Sequence, residues 1–152
     1  MKRTIEQVQH DNVHLHELIR KLDEDLGQRY SSPDEIFTVD FNDPAVMAMT
    51  FIVAYVDGEP AGCGGIKPHG SEFVELKRFY VDPAFRRLGL AAEVLGQLEN
   101  RAKELGYSVI RLEAGAPQPE ALAFYRKHGY YAIDRFDEYV DCESSLCYEK
   151  QL

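Results

Sequence analysis

The residues in this chain best suited to chemistry lie between Val81 and Ala92, which read Val-Asp-Pro-Ala-Phe-Arg-Arg-Leu-Gly-Leu-Ala-Ala. Adjacent arginines, Arg86 and Arg87, stand just before a run of small residues at Gly89, Ala91 and Ala92. A strand-like segment, Phe73 to Val81, leads in, and a helix-like segment from Leu88 to Leu105 leads out. Small side chains at the mouth of a helix let a ligand approach the first turn. There, free N–H groups and the positive end of the helix dipole favour an anion, above all a phosphate. The stretch therefore reads as the seat of a phosphate-bearing cofactor. An ordinary strand-to-helix turn with solvated arginines has the same residues, so the stretch alone leaves both readings open.

Other reactive residue types offer less. Cys63, Cys142 and Cys147 match no zinc spacing, and an odd count makes a poor disulfide framework. Cys63 sits in an apolar, small-residue run and reads as packing. His10 and His14 share the four-residue spacing of helical metal ligands, but no acidic partner completes a pattern, and no metal is expected. The net charge of −9 argues against nucleic acid, whose binding needs a basic surface. No apolar run approaches the ~20 residues that span a bilayer, so no membrane partner is expected. The basic N-terminus lacks a following apolar segment, which points to the cytoplasm. A length of 152 residues suits one domain.

The elements that must position these residues follow from periodicity. Thr4 to Val8 alternates as a short strand. Asn12 offers an N-cap to a helix carrying Leu15, Leu18, Ile19, Leu22 and Leu26 on one face, with Gly27 as its stop. Tyr30 to Pro44 is a loop, with a turn of helix near Pro33 to Ile36, and is long enough to line a substrate site. Met47 to Val56, Glu59 to Lys67 and Phe73 to Val81 form an antiparallel meander. Its first hairpin turns at Asp57-Gly58, its second at Pro68 to Ser71. The helix from Leu88 to Leu105 ends at Gly106 and leads to a strand at Ser108 to Glu113, which should pair in parallel. Pro119 to His128 is a further helix, Tyr131 to Ile133 and Leu146 to Lys150 are strands, and Asp134 to Glu143 is an acidic loop. The sum is an α/β chain with a mixed sheet flanked by helices.

With the elements in place, the chain resembles the GCN5-related N-acetyltransferase (GNAT) superfamily. The resemblance rests first on Arg86, Gly89 and Ala91, which follow Tyr80-Val81-Asp82-Pro83 and match the family's cofactor signature. It rests also on Ala121-Leu122-Ala123-Phe124-Tyr125-Arg126-Lys127-His128-Gly129-Tyr130, and on the order of the elements. It covers about the C-terminal two-thirds and implies a mostly antiparallel sheet with one splayed parallel pair. It implies acetyl-CoA as co-substrate, with its diphosphate on the backbone of Arg86, Arg87, Leu88, Gly89, Leu90, Ala91 and Ala92. Lys77 and Arg78 would add to a basic patch there. Backbone groups of Phe79 and Val81 would hold the pantetheine arm, and the Phe79 N–H would face the thioester oxygen. Gln118 stands where the family often has a cofactor-contacting Asn, a departure from the family pattern.

The implied reaction is direct transfer of acetyl to a primary amine of a small molecule or peptide. An amine with a pKa of about 10.4 must lose a proton before attack. Glu75, eleven residues before Arg86, is the leading base by its family offset, through water, with Glu113 next; a structural ion pair is the plainer role for Glu75. Tyr125 matches the family tyrosine that protonates the leaving thiolate, against a plainer role in the core. The acidic stretches 34–43 and 134–143 would favour a cationic acceptor. A homodimer is implied by family habit alone. Rival readings are a protein N-terminal or lysine acetyltransferase and a non-catalytic acetyl-CoA sensor.

Overall fold

The computed structural model describes residues 1–152. In chain order its elements are β1 (Arg3–Val8), α1 (Val13–Arg29), β2 (Thr50–Val56), β3 (Glu59–His69) and β4 (Phe73–Val81). They continue with α2 (Leu90–Glu104), β5 (Val109–Gly115), α3 (Pro119–Lys127), β6 (Tyr131–Ile133) and β7 (Ser145–Gln151). The strands form one sheet in the order β1-β2-β3-β4-β5-β7-β6. All neighbours are antiparallel except β4 and β5. That single parallel step follows from α2, which carries the chain back across one face.

Strand β2 is buried along its whole length and feeds two cores. Ile52, Ala54 and Val56 face α2 and α3, packing with Leu90, Val94, Leu98 and Leu122. Phe51, Val53 and Tyr55 face α1 and meet Leu15, Leu18, Leu22 and Leu26. Alternation in the sequence thus decides which helix each residue meets. A fully buried leucine such as Leu15, Leu18 or Leu98 contributes ~1.5–3 kcal/mol, and these contacts fix the helices about the sheet.

Several local expectations shift. The Asn12 side chain caps α1 by accepting from the Leu15 N–H at 3.0 Å, but Gly27 does not end that helix. Arg29 carries it further. It bonds to Asp25 one turn back, donates to the Pro117 carbonyl at 3.0 Å and pairs with Glu120. The second strand begins at Thr50, not Met47, because Asp43 accepts from the Ala45 N–H and Pro44 opens a 3₁₀ turn over Pro44–Ala48. Pro68 and His69 extend β3 rather than turning. The acidic run 134–143 is no simple solvated loop: Phe136 and Tyr139 within it are buried against Phe73 and Cys147.

Two features of β4 open the sheet. Its parallel pairing with β5 is confined to Val74 with Ile110 and Glu75 with Arg111. Beyond that the strands part. On its other side the register with β3 runs from Lys77 opposite Gly65 to Tyr80 opposite Cys63. Arg78 and Phe79 therefore oppose Gly64 alone, which is a β-bulge. Arg78 takes the strain, with φ of +55°.

Candidate active site

The turn after β4 is built to leave backbone donors free. Asp82 accepts from the Ala84 N–H at 2.9 Å and from Lys21 Nζ at 2.9 Å, which fixes the chain's exit from the strand. Arg87 and Gly89 then both hold positive φ, +68° and +76°. Gly89 is the N-cap of α2 and brings no capping side chain, so the helix starts at Leu90 rather than Leu88. The first backbone hydrogen bond of the helix runs from the Glu93 N–H to the Gly89 carbonyl. The N–H groups of Arg87 to Ala92 donate to no backbone carbonyl. Arg3 of β1 steadies the turn from outside, donating to the Leu88 carbonyl and pairing with Glu93 at 3.0 Å.

A groove of about 450 Å³ runs from this turn along the parted edge of β4 to α3. Phe79, Val81, Arg86, Arg87, Gly89, Leu90, Ala91, Ala92, Gln118 and Tyr125 all line it. Leu88 does not; it packs against the main core. Arg86 is held by its Nε bond to the Val81 carbonyl at 3.2 Å. The anticipated basic patch is divided. Arg86 and Arg87 face the groove, whereas Lys77 and Arg78 are buried and line a second cavity.

That second cavity, about 80 Å³, lies where β4 and β5 diverge. Leu22 and Leu26 of α1 line it, and so does Tyr125 of α3 from the opposite helical layer. Both layers reach one cavity because the sheet is open there. The loop segment with Tyr30, Glu35, Ile36 and Phe37 closes one side. Gln118 donates to Tyr30 Oη at 2.8 Å. Tyr30 fits because residue 115 is glycine: a Cβ there would overlap its hydroxyl. Leu22, Phe79, Gln118 and Tyr125 line both cavities, so groove and cavity meet at these side chains.

The two candidate bases differ sharply. Glu113 lines the smaller cavity. Burial raises its carboxyl to about 7, against the opposing pull of the Ser145 hydroxyl, which donates at 2.7 Å, and of Lys77. Glu75 is fully buried and lines neither cavity. His69 Nε2 lies 2.9 Å from its Oε1, Tyr139 donates to its Oε2, and Lys77 Nζ stands 3.6 Å away. Burial alone would raise Glu75, but the His69 bond, the Lys77 charge and the Tyr139 bond outweigh it and hold the carboxyl low. Its partners are thus His69, Tyr139 and Lys77 rather than Arg78, which pairs with Asp23 at 2.6 Å. Tyr139, which bridges Glu75 to the cavity, has no mark in the sequence beyond being an aromatic in an acidic run.

Burial also pushes the Tyr125 hydroxyl well above its ordinary value, so it stays protonated. Cys63 is fully buried, its thiol raised to about 12 while it donates to the Arg78 carbonyl.

Comparison with known proteins agrees with this geometry. The model of the Acetyltransferase (GNAT) family matches residues 8–130. The chain belongs to the GNAT acetyltransferase family. It is 32% identical over 137 residues to the IAA acetyltransferase of Azospirillum brasilense, covering 90% of this chain and 89% of that protein. It is likewise 32% identical over 133 residues to the uncharacterized N-acetyltransferase YjgM of Escherichia coli K12, covering 82% and 77%. Among solved structures, one from Klebsiella pneumoniae described as an acyl-CoA N-acyltransferase superposes with a TM-score of 0.87 at 28% identity, covering 99% and 97%. A GNAT acetyltransferase from Elizabethkingia anophelis, solved with acetyl-CoA bound, shares the fold at TM-score 0.74 and 18% identity, covering 99% and 98%. The mixed, mostly antiparallel sheet with one splayed parallel pair is the fold of this GNAT family.

Proposed function

We propose that this GNAT protein transfers acetyl from acetyl-CoA directly to a primary amine of a small molecule. The observation that carries the reading is the meeting of groove and cavity at Phe79, Gln118 and Tyr125, with Glu113 on the cavity wall. The groove suits acetyl-CoA. The free N–H groups of Arg87 to Ala92, with Arg86 and Arg87, would hold its diphosphate. The unpaired edge of β4 at Phe79 and Val81 would align the pantetheine arm. Acetyl-CoA supplies the reactive thioester; the chain supplies donors, a base and an acid.

In this reading Glu113 takes a proton from the acceptor ammonium and leaves the amine free to attack. A base with a pKa near 7 is suited to that task at neutral pH. The Phe79 N–H, at the bulge, stabilises the oxyanion that forms as nitrogen bonds to carbonyl carbon. Tyr125 then donates its proton to the departing sulfur, and the proton shed by the new amide nitrogen restores the Tyr125 hydroxyl. Glu75, two residues back along β4 from Lys77, positions Lys77 and Tyr139 rather than touching the amine.

The test is CoA thiol release with a panel of small amines, on the wild type and Tyr125→Phe. Expected are turnover by the wild type and a kcat at least ~100-fold lower in the variant, with acetyl-CoA affinity by calorimetry within about threefold. Equal turnover in the two proteins would remove Tyr125 from the mechanism. Acetyl-CoA binding without turnover on any amine would replace the enzyme with a sensor.

A further inference from the structure

Strand β4 puts two consecutive charged side chains, Lys77 and Arg78, on one wall of the smaller cavity, while Leu76 and Phe79 on either side pack with the main core. A regular strand cannot do so, because successive side chains point to opposite faces. The bulge breaks the alternation, and Arg78 holds a φ of +55° that a bulky residue adopts only when its surroundings enforce it. The result is two cations on one wall, their side chains 6% and 4% exposed.

Neither cation is saturated. Lys77 Nζ carries three N–H groups and makes one hydrogen bond, to Tyr139 Oη at 2.9 Å. Glu75 and Glu138 stand at 3.6 and 3.8 Å, close enough to balance charge but beyond hydrogen-bond reach. Arg78 Nη1 meets Asp23 and Nη2 reaches the Phe37 carbonyl at 3.3 Å, while its buried Nε has no partner. Arg101 Nε shares that condition, but on a side chain 38% exposed at the surface. Buried donors are almost always paired, so the spare N–H groups of Lys77 on a cavity wall suit acceptor oxygens that enter the cavity, from water or from a ligand. The acids on the wall, Glu35 and Glu113, do not supply them to Lys77 or Arg78.

We infer that the acceptor is a small amino acid, its carboxylate docked on Lys77 Nζ beside the charged Arg78 guanidinium and its amine facing Glu113 and Tyr125. The inference rests on the acetyl-transfer reading and narrows it. A carboxylate provides acceptor oxygens for the two idle N–H groups of Lys77 Nζ, and its charge suits the Lys77–Arg78 wall. A cavity of about 80 Å³ suits a molecule of that size. A protein N-terminus has a peptide bond where the carboxylate would be, and a polyamine would bring a further cation to the Lys77–Arg78 wall. Of the two acidic stretches, 34–43 puts Glu35 on the cavity wall and 134–143 puts Glu138 3.8 Å from Lys77 Nζ.

The experiment compares amino acids with their carboxamides and with the amines left by removing the carboxylate, using wild-type protein and acetyl-CoA. Expected is a kcat/KM at least tenfold higher for the best acid than for its carboxamide and its amine, most of it in KM. Lys77→Gln should shrink that ratio to within about threefold. Calorimetric titration of the same compounds into the CoA-saturated protein reads the anchor without turnover, and the acid should bind at least tenfold tighter. Amines acetylated and bound as well as their acids would overturn the carboxylate anchor while leaving acetyl transfer intact. Preferential binding of acids without any turnover would uphold the anchor and sink acetyl transfer.

Discussion

Glu75 and Glu113 sit on the two strands that part, and burial acts on both, yet their carboxyls move in opposite directions. Glu75 has a histidine, a tyrosine hydroxyl and a lysine to hold its charge; Glu113 has a serine hydroxyl and a more distant lysine. A base is useful only in its charged form, so the acid limb of kcat/KM should bend near pH 7 as Glu113 takes up its proton. Glu113→Gln should remove that limb and lower the plateau by ~100-fold or more. A pH–rate profile of kcat/KM, taken at subsaturating amine, checks both. An unshifted limb in the variant would assign it to another group. At this scale the sequence pointed to both glutamates and to Tyr125 through the resemblance, but ranked the bases by offset. It had no access to Tyr139, which meets Glu75 across 64 residues of chain. Nor could it see that Lys77 and Arg78 would be drawn inward, because charge alone reads as surface.

Element boundaries followed their chemistry wherever a cap or a turn pair marked them. Asn12, Asp57-Gly58, Gly106 and Gly129 act as such marks, the last two with φ of +94° each. The bulge in β4 had no mark, since its strained residue is an arginine and not the glycine that usually signals positive φ. Gly27 misled for the reverse reason. A glycine inside a helix costs only ~1 kcal/mol, and burial of Leu26 together with the Arg29 contacts to Pro117 and Glu120 outweighs it. The turn between β4 and α2 is where conformation and binding coincide. Gly89→Glu would force a side chain into φ of +76° and put a negative charge at the mouth of α2. Acetyl-CoA affinity should fall at least ~100-fold by calorimetry, with a far-ultraviolet circular dichroism spectrum unchanged. Retained affinity would move the diphosphate elsewhere.

For the whole molecule, the His69–Glu75–Tyr139–Lys77 cluster matters as much as the cores it joins. Glu75→Gln leaves Lys77 without its nearest countercharge and should cost about 3 kcal/mol at neutral pH by urea denaturation. Glu75 titrates below its ordinary value of 4.5 in the folded state. Its contribution is therefore complete above that pH and is lost as pH falls through the lower, folded value. The difference between wild type and variant should accordingly shrink on acidification below pH 4.5. A gap that is absent at neutral pH would mean the cluster is stabilised by something other than charge. The partly paired seam between β4 and β5 has one further consequence. A sheet edge is ordinarily a hazard, because its open backbone recruits other strands. Here two such edges face each other inside one molecule, held too far apart to close. Zipping them along their full length would yield a tighter sheet and erase the cavity and the mouth of the groove. At this seam selection for sturdiness and selection for activity oppose each other, and stabilising substitutions found there should be the ones that silence the protein.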